Sequence, residues 1–293
     1  MGYLLALLSA LCFSITNIIL KKGMSHSKHN GVWFITFVNV IILGVILLLS
    51  LYVFNFPLLL DSKGLFIFLV SGVLINVMGR GLLYKGIRQI GSSKAVAIKN
   101  SAPVITFLFA VFVIDEQITK WPFIGILLLF FGLLLLGIQF FKEGVHQPVH
   151  RGGYYIALLS AIGYGLGQGL SKEGIAYLPN PYVGVFVGSL GAFLLLTIIE
   201  GCRGKLVEHF KSSSGNPYYL WAGVLTSLAL LLFYLSVSYI PVSYAVAILA
   251  VDPVLTVILV SLFMKKEELI SKLIILVSIL VFAGAVIISL TGS

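Results

Sequence analysis

Arg80, Lys99 and Asp252 are charged residues set inside long apolar runs of a 293-residue chain. A charge at the centre of a lipid-facing helix costs roughly 2.5 to 3.5 kcal/mol on insertion scales, so such residues face a partner, a bundle interior or a water-filled cavity. They are the first candidates for a binding site. Arg80 lies one helical turn after Asn76 and one before Tyr84, which puts all three on one helical face. A guanidinium presents a planar fork that matches carboxylate or phosphate, and the neighbouring Asn and Tyr can add hydrogen bonds. Lys99 stands one turn before Ala102, and Asp252 is the one carboxylate far from any run end. Lys94, near the start of its run, can serve a cavity or snorkel to the interface. Asn17 and Gln168 place amides late in two other apolar runs, where they either bind a solute or cross-link helices.

This set suits recognition better than catalysis. The five histidines (His26, His29, His146, His150 and His209) all fall in polar connections, and no HExxH, P-loop or nucleophile elbow is present. Cys12 and Cys202 make neither a disulfide framework nor a metal-ligand spacing. No cofactor and no metal are expected. The net charge of +9 is carried by cations at the ends of apolar runs, with no interleaved aromatic patch, which argues against a nucleic-acid partner.

The elements that hold these residues must be membrane spans. Hydrophobic residues make up 59% of the chain and charged residues 10%, with a mean hydropathy of +1.11, a balance that no soluble core could bury. Roughly 20 apolar residues cross the hydrocarbon as a helix, and the chain offers about ten such runs. The spacing predicts spans near Gly2 to Leu20, Val32 to Phe54, Gly64 to Tyr84, Ser92 to Ile114 and Trp121 to Phe141. A polar break follows, and then spans near Gly153 to Ile175, Tyr182 to Ile199, Pro217 to Tyr239, Val242 to Met264 and Ile270 to Leu290. The first run lacks a basic leader region and a small-residue cleavage site, so it reads as a retained span.

The two halves resemble each other. Gly2-Tyr3-Leu4-Leu5-Ala6-Leu7-Leu8-Ser9-Ala10 matches Gly153-Tyr154-Tyr155-Ile156-Ala157-Leu158-Leu159-Ser160-Ala161, and the same register pairs Asn17 with Gln168 and Lys21 with Lys172. Further on, Ala95-Val96-Ala97-Ile98, Pro103-Val104 and Thr106 match Ala245-Val246-Ala247-Ile248, Pro253-Val254 and Thr256. Two matches in nearly one register indicate duplication. An odd number of spans per copy turns the second copy upside down, and inverted repeats with a site at their interface are a transporter architecture.

The pattern of Ala-Val-Ala-Ile, then Pro103-Val104, then Glu116-Gln117-Ile118-Thr119, then a final helix with Gly125 and Gly132, resembles the EamA-type repeat of the drug/metabolite transporter superfamily; the second copy has Pro253-Val254, Glu267 and Gly284. The resemblance covers nearly the whole chain: residues 1–141 as a first repeat, 142–151 as a connection and 152–293 as a second repeat. It implies an all-α membrane protein of ten transmembrane helices, arranged as two inverted five-helix repeats around a central cavity, working as a secondary transporter by alternating access. The family spans amino-acid, sugar and phosphate-ester carriers, so the solute stays open.

Arg80 and Lys99 favour an acidic group on that solute, so the expected partners are an anionic or zwitterionic small metabolite, such as an amino acid or organic acid, and the lipid bilayer. A proton acting through Asp252 is a candidate coupling ion. Multidrug efflux of cations is the alternative, weakened because no acidic residue lies in the first span. A membrane enzyme would need clustered His, Asp or Glu within the spans, and the sequence offers none. If Lys99 and Asp252 face each other across the repeat interface, they can pair. The absence of any Asn-x-Ser/Thr sequon and the short connections fit a bacterial cytoplasmic membrane. The cations crowd the odd-numbered connections, which by the positive-inside rule would put both termini outside; the superfamily resemblance implies the opposite, and the orientation stays open.

Overall fold

The computed structural model describes residues 1–25, 31–54, 61–90, 92–143, 152–204, 206–207, 215–263 and 272–292. The expected connection lies outside the described residues from 144 to 151, as do Met264 and Ile270, where two expected spans meet, and all five histidines. Among the described residues every regular element is helical. The first half contains α1 (Gly2–Ser25), α2 (Val32–Phe54), α3 (Ser62–Val73), a π-helical segment (Leu74–Gly81), α4 (Leu82–Ile90), α5 (Ser92–Lys99), α6 (Ala102–Phe112) and α7 (Lys120–Glu143). The second contains α8 (Gly152–Tyr177), α9 (Pro181–Cys202), α10 (Pro217–Tyr239), α11 (Val242–Leu249), α12 (Asp252–Phe263) and α13 (Lys272–Thr291). Eight helices among the described residues are long and apolar enough to cross a membrane. Large apolar side chains such as Leu49, Phe66, Phe131, Ile198 and Ile279 point outward, as a lipid solvent requires.

Helix starts follow local chemistry. Asp61 accepts from the Gly64 N–H at 2.6 Å to open α3, and Asn180 accepts from Tyr182 and Val183 to open α9, with Pro181 at the first helical position. Three expected spans differ from plain helices. The third runs on past Tyr84 to Ile90 and widens into the π-helical segment that carries Asn76 and Arg80. The fourth and ninth are each broken, between Lys99 and Ala102 and between Leu249 and Asp252. Pro103 and Pro253 explain the breaks: neither has an N–H, so the carbonyls of Lys99 and Leu249 lose their helical donors. The chain tightens there, with Ser101 N–H bonding Ile98 and Val251 N–H bonding Ile248, both at 3.0 Å.

Equivalent helices of the two halves pack antiparallel. A Cβ at Gly125 would lie 2.8 Å from the Gly284 carbonyl oxygen, while Gly132 faces Val281, so α7 and α13 run in opposite directions. Trp33 and Phe37 meet Phe193, while Gly44 meets Phe186, which sets α2 against α9 in the same sense. The first helix of each half packs on the third of the other. Ser9 on α1 donates to the Ala229 carbonyl of α10 at 2.7 Å, and its sequence equivalent Ser160 on α8 donates to the Gly79 carbonyl at 2.6 Å. These two bonds are images of each other. The glycine stripes of α8 serve close packing: Gly163 and Gly167 admit Met78 and Ile75, and Gly165 and Gly169 admit Ile105 and Phe109.

Two residues fasten one end of this assembly. Lys172 Nζ donates to the carbonyls of Val237 and Ile240 at 2.6 and 3.0 Å, closing the end of α10. The Glu116 carboxylate accepts from the N–H groups of Val242 and Ser243 and from the Ser243 hydroxyl, opening α11. Asp115, at φ 56°, turns the chain out of α6 and aims Glu116 across the repeat boundary.

Candidate functional site

The broken helices, the π-helical segment and the first helix of each half enclose one central cavity of about 80 Å³, room for a few water molecules. Arg80, Tyr84, Lys99, Asp252, Asn17 and Gln168 all line it. Asn76 does not. Its amide donates to the Gly72 carbonyl at 3.0 Å and its Oδ1 is buried without a partner beside a second, far smaller hollow near Tyr234. The expected common face of Asn76, Arg80 and Tyr84 assumed an α-helical period, and the π turn between them shifts Asn76 off that face.

Arg80 is only 4% exposed, and its Nη1 has no hydrogen-bond partner. Its guanidinium faces the hydroxyls of Tyr84, which is buried, and Tyr164, which is half-buried. π-Helical turns cost backbone hydrogen-bond geometry and recur at functional sites. Here the turn delivers a desolvated cation to the cavity wall.

Asp252 is 6% exposed and begins α12, directly after the break. Ser14 Oγ lies 3.0 Å and Thr256 Oγ1 3.3 Å from its Oδ1, and Asn17 Nδ2 donates to both carboxyl oxygens at 3.0 and 3.2 Å. The image of this arrangement in the other half has Thr106 bonding the Gly165 carbonyl at 2.9 Å and Gln168 Oε1 at 3.2 Å. Gln168 thus cross-links helices, whereas Asn17 both holds Asp252 and stands exposed.

Lys99 and Asp252 share the cavity and feel each other's charge, yet no contact ion pair forms between them. The Lys99 ammonium sits over the Tyr164 ring, 5.3 Å from its centroid. Lys94 is buried and does not line the cavity. The expected pairing of Lys99 with Asp252 therefore takes the form of proximity without contact.

Sequence reasoning missed Ser14, Tyr164 and Thr256. Each was within reach of a same-face argument: Ser14 precedes Asn17 by three, Tyr164 precedes Gln168 by four and Thr256 follows Asp252 by four. Hydroxyls carry little insertion penalty, so they do not stand out in an apolar run. The π-helical segment has no sequence signature at all.

No match to a curated protein was found. Among solved structures 28 chains match. One, a crystal structure of a protein with no stated activity, aligns with a TM-score of 0.61 at 15% identity, over 99% of this chain and 97% of that one, which supports the fold alone. The model of the EamA-like transporter family matches twice, over residues 1–138 and 151–290. With both repeats matched and eight membrane-crossing helices described, the chain is an integral membrane protein that belongs to the EamA-like transporter family.

Proposed function

We propose that the protein is a secondary transporter of a small anionic or zwitterionic metabolite, such as an amino acid or organic acid, held in the central cavity and passed across by alternating access. Two inverted five-helix repeats would rock about that cavity. The antiparallel packing of α2 on α9 and α7 on α13 supports the inversion, and α8 and α13 would complete ten spans. The connections are short enough for a bacterial cytoplasmic membrane.

The observation that carries the solute class is Arg80: a cation 4% exposed, with an unpartnered Nη1, on the wall of a cavity that also holds Lys99. A buried guanidinium without a carboxylate is stabilised when a ligand brings one. The Asp252 carboxyl across the same cavity suits a solute that also carries a cationic group.

Proteoliposomes should be offered a panel of labelled amino acids, organic acids, sugars and sugar phosphates. Saturable uptake of an acidic or zwitterionic member, emerging chemically unaltered, is the expected result. An Arg80→Ala, Lys99→Ala double variant that stays folded should lose it. Full transport by that variant would return cationic drug efflux to first place, and an altered solute would make the protein an enzyme.

A further inference from the structure

Position 164 can be compared with its own image inside the same molecule. The register that pairs Asn17 with Gln168 pairs Phe13 with Tyr164, and both rings are half-buried and line the central cavity. An aromatic ring is therefore common to the two halves. The hydroxyl is not. It occurs only in the half that also carries cations: Arg80 and Lys99 belong with Tyr164, whereas their images Leu230 and Leu249 belong with Phe13. Packing is met by a ring without an oxygen, so the oxygen of Tyr164 serves the cations or what they bind.

The surroundings hold that ring in place. A Cβ at Gly163 would lie 2.9 Å from the Gly79 backbone nitrogen, and one at Gly165 would lie 2.8 Å from the Ala102 carbonyl oxygen. The backbone on either side of Tyr164 is thus pressed against the π-helical segment and α6. The ring itself lies against Gly79, where a Cβ would stand 2.9 Å from its Cγ and Cδ2. Gly79 directly precedes Arg80, and the Lys99 ammonium sits over the ring, so one fixed ring sets the spacing of both cations. A guanidinium and an ammonium only donate hydrogen bonds, whereas a phenol both accepts and donates. The Tyr164 oxygen can accept from Arg80, but neither cation can take its hydrogen, and Tyr164 bonds to no acceptor among the described residues. That hydrogen is left to the cavity.

We propose that the Tyr164 hydroxyl is a specificity-determining group that touches the solute, the third donor beside the Arg80 fork and the Lys99 ammonium for one carboxylate. This rests on the acidic-solute reading above and adds to it the selection of carboxylate over amide. A carboxylate has about four lone-pair sites on two oxygens, enough for three donors. A neutral amide offers one oxygen and brings two N–H hydrogens of its own against a wall of donors.

Thermal unfolding of the purified full chain in lipid nanodiscs tests this, with rising acetate, glycine or succinate as probes and acetamide as the uncharged control, at constant ionic strength. At least one carboxylate should stabilise the wild type saturably, and acetamide should not. Without probe, Tyr164→Phe should unfold at the wild-type temperature, since Phe13 fills the equivalent place. It should need about 10- to 100-fold more of that carboxylate for half the effect, the size of a hydrogen bond to a charged group. A lowered probe-free unfolding temperature with an unchanged half-effect concentration, or no difference at all, would overturn the proposal and leave the acidic-solute reading standing. A wild type indifferent to every carboxylate would overturn both. If Tyr164→Phe does not fold, nitration of the wild-type Tyr164 by tetranitromethane decides: the same carboxylate should protect the ring, and nitration unaffected by saturating carboxylate would overturn the proposal.

Discussion

Arg80 shows at the scale of one residue what a buried charge costs. A desolvated guanidinium with one unpaired nitrogen has only the neutral Tyr84 and Tyr164 hydroxyls to set against the cost of its burial, and an apolar side chain of similar volume avoids that cost. Arg80→Met should therefore raise the stability of the solute-free protein, by about 1 kcal/mol or more, while solute binding is abolished. Thermal unfolding with and without solute separates the two effects. Arg80→Lys keeps the charge and loses the planar fork, so it should weaken binding without the gain in stability. A loss of several kcal/mol in Arg80→Met would mark Arg80 as a structural partner of Tyr84 and Tyr164. The same cost made Arg80, Lys99 and Asp252 legible in the sequence, since charge inside an apolar run stands out. Their neighbours Ser14, Tyr164 and Thr256 do not stand out in the same way, because a hydroxyl in such a run looks ordinary, and only their helical spacing from the polar residues points to them.

Among the elements, the broken helices and their fastenings matter most. Pro103 and Pro253 mark the breaks in the sequence, but a proline alone does not distinguish a kink from a full interruption with two half-helices. Nor does the Glu116-Gln117-Ile118-Thr119 motif disclose its role, because the groups that Glu116 satisfies lie more than a hundred residues away, on α11. Glu116→Ala strips three hydrogen bonds from the start of α11, and with them an anion favourably placed at a helix N-terminus. Stability should fall by about 1 to 2 kcal/mol, with Glu116→Gln intermediate. Lys172→Met should cost a comparable amount by stranding the Val237 and Ile240 carbonyls. Chemical denaturation of the purified variants measures both. Unchanged stability in both would show that solvent or lipid replaces these caps.

The whole molecule is a pair of interleaved halves, and the sequence discloses this because packing demands repeat: Ser9 and Ser160, Gly2 and Gly153, Pro103 and Pro253 meet the same needs twice. Span count is less legible. Helix α8, rich in Gly, Ser and Tyr, packs tightly at both of its glycine faces without being strongly apolar. Cysteines at Lys22 and Arg203 should react with an impermeant maleimide from one side of a sealed vesicle, and cysteines at Ser62 and Thr119 from the other. Reaction of all four from one side would refute the antiparallel arrangement. The mirrored serine bonds carry a further consequence for energy. Exchanging the roles of the two halves conserves Ser9 to Ala229 and Ser160 to Gly79, so in the proposed cycle the inward-open and outward-open forms begin nearly degenerate. Only unmatched positions split them, and the three cavity charges are such positions: Arg80 stands opposite Leu230, Lys99 opposite Leu249 and Asp252 opposite Ala102. A nearly balanced equilibrium needs little differential affinity to tip, so the residues proposed to recognise the solute would also set the bias of the resting protein.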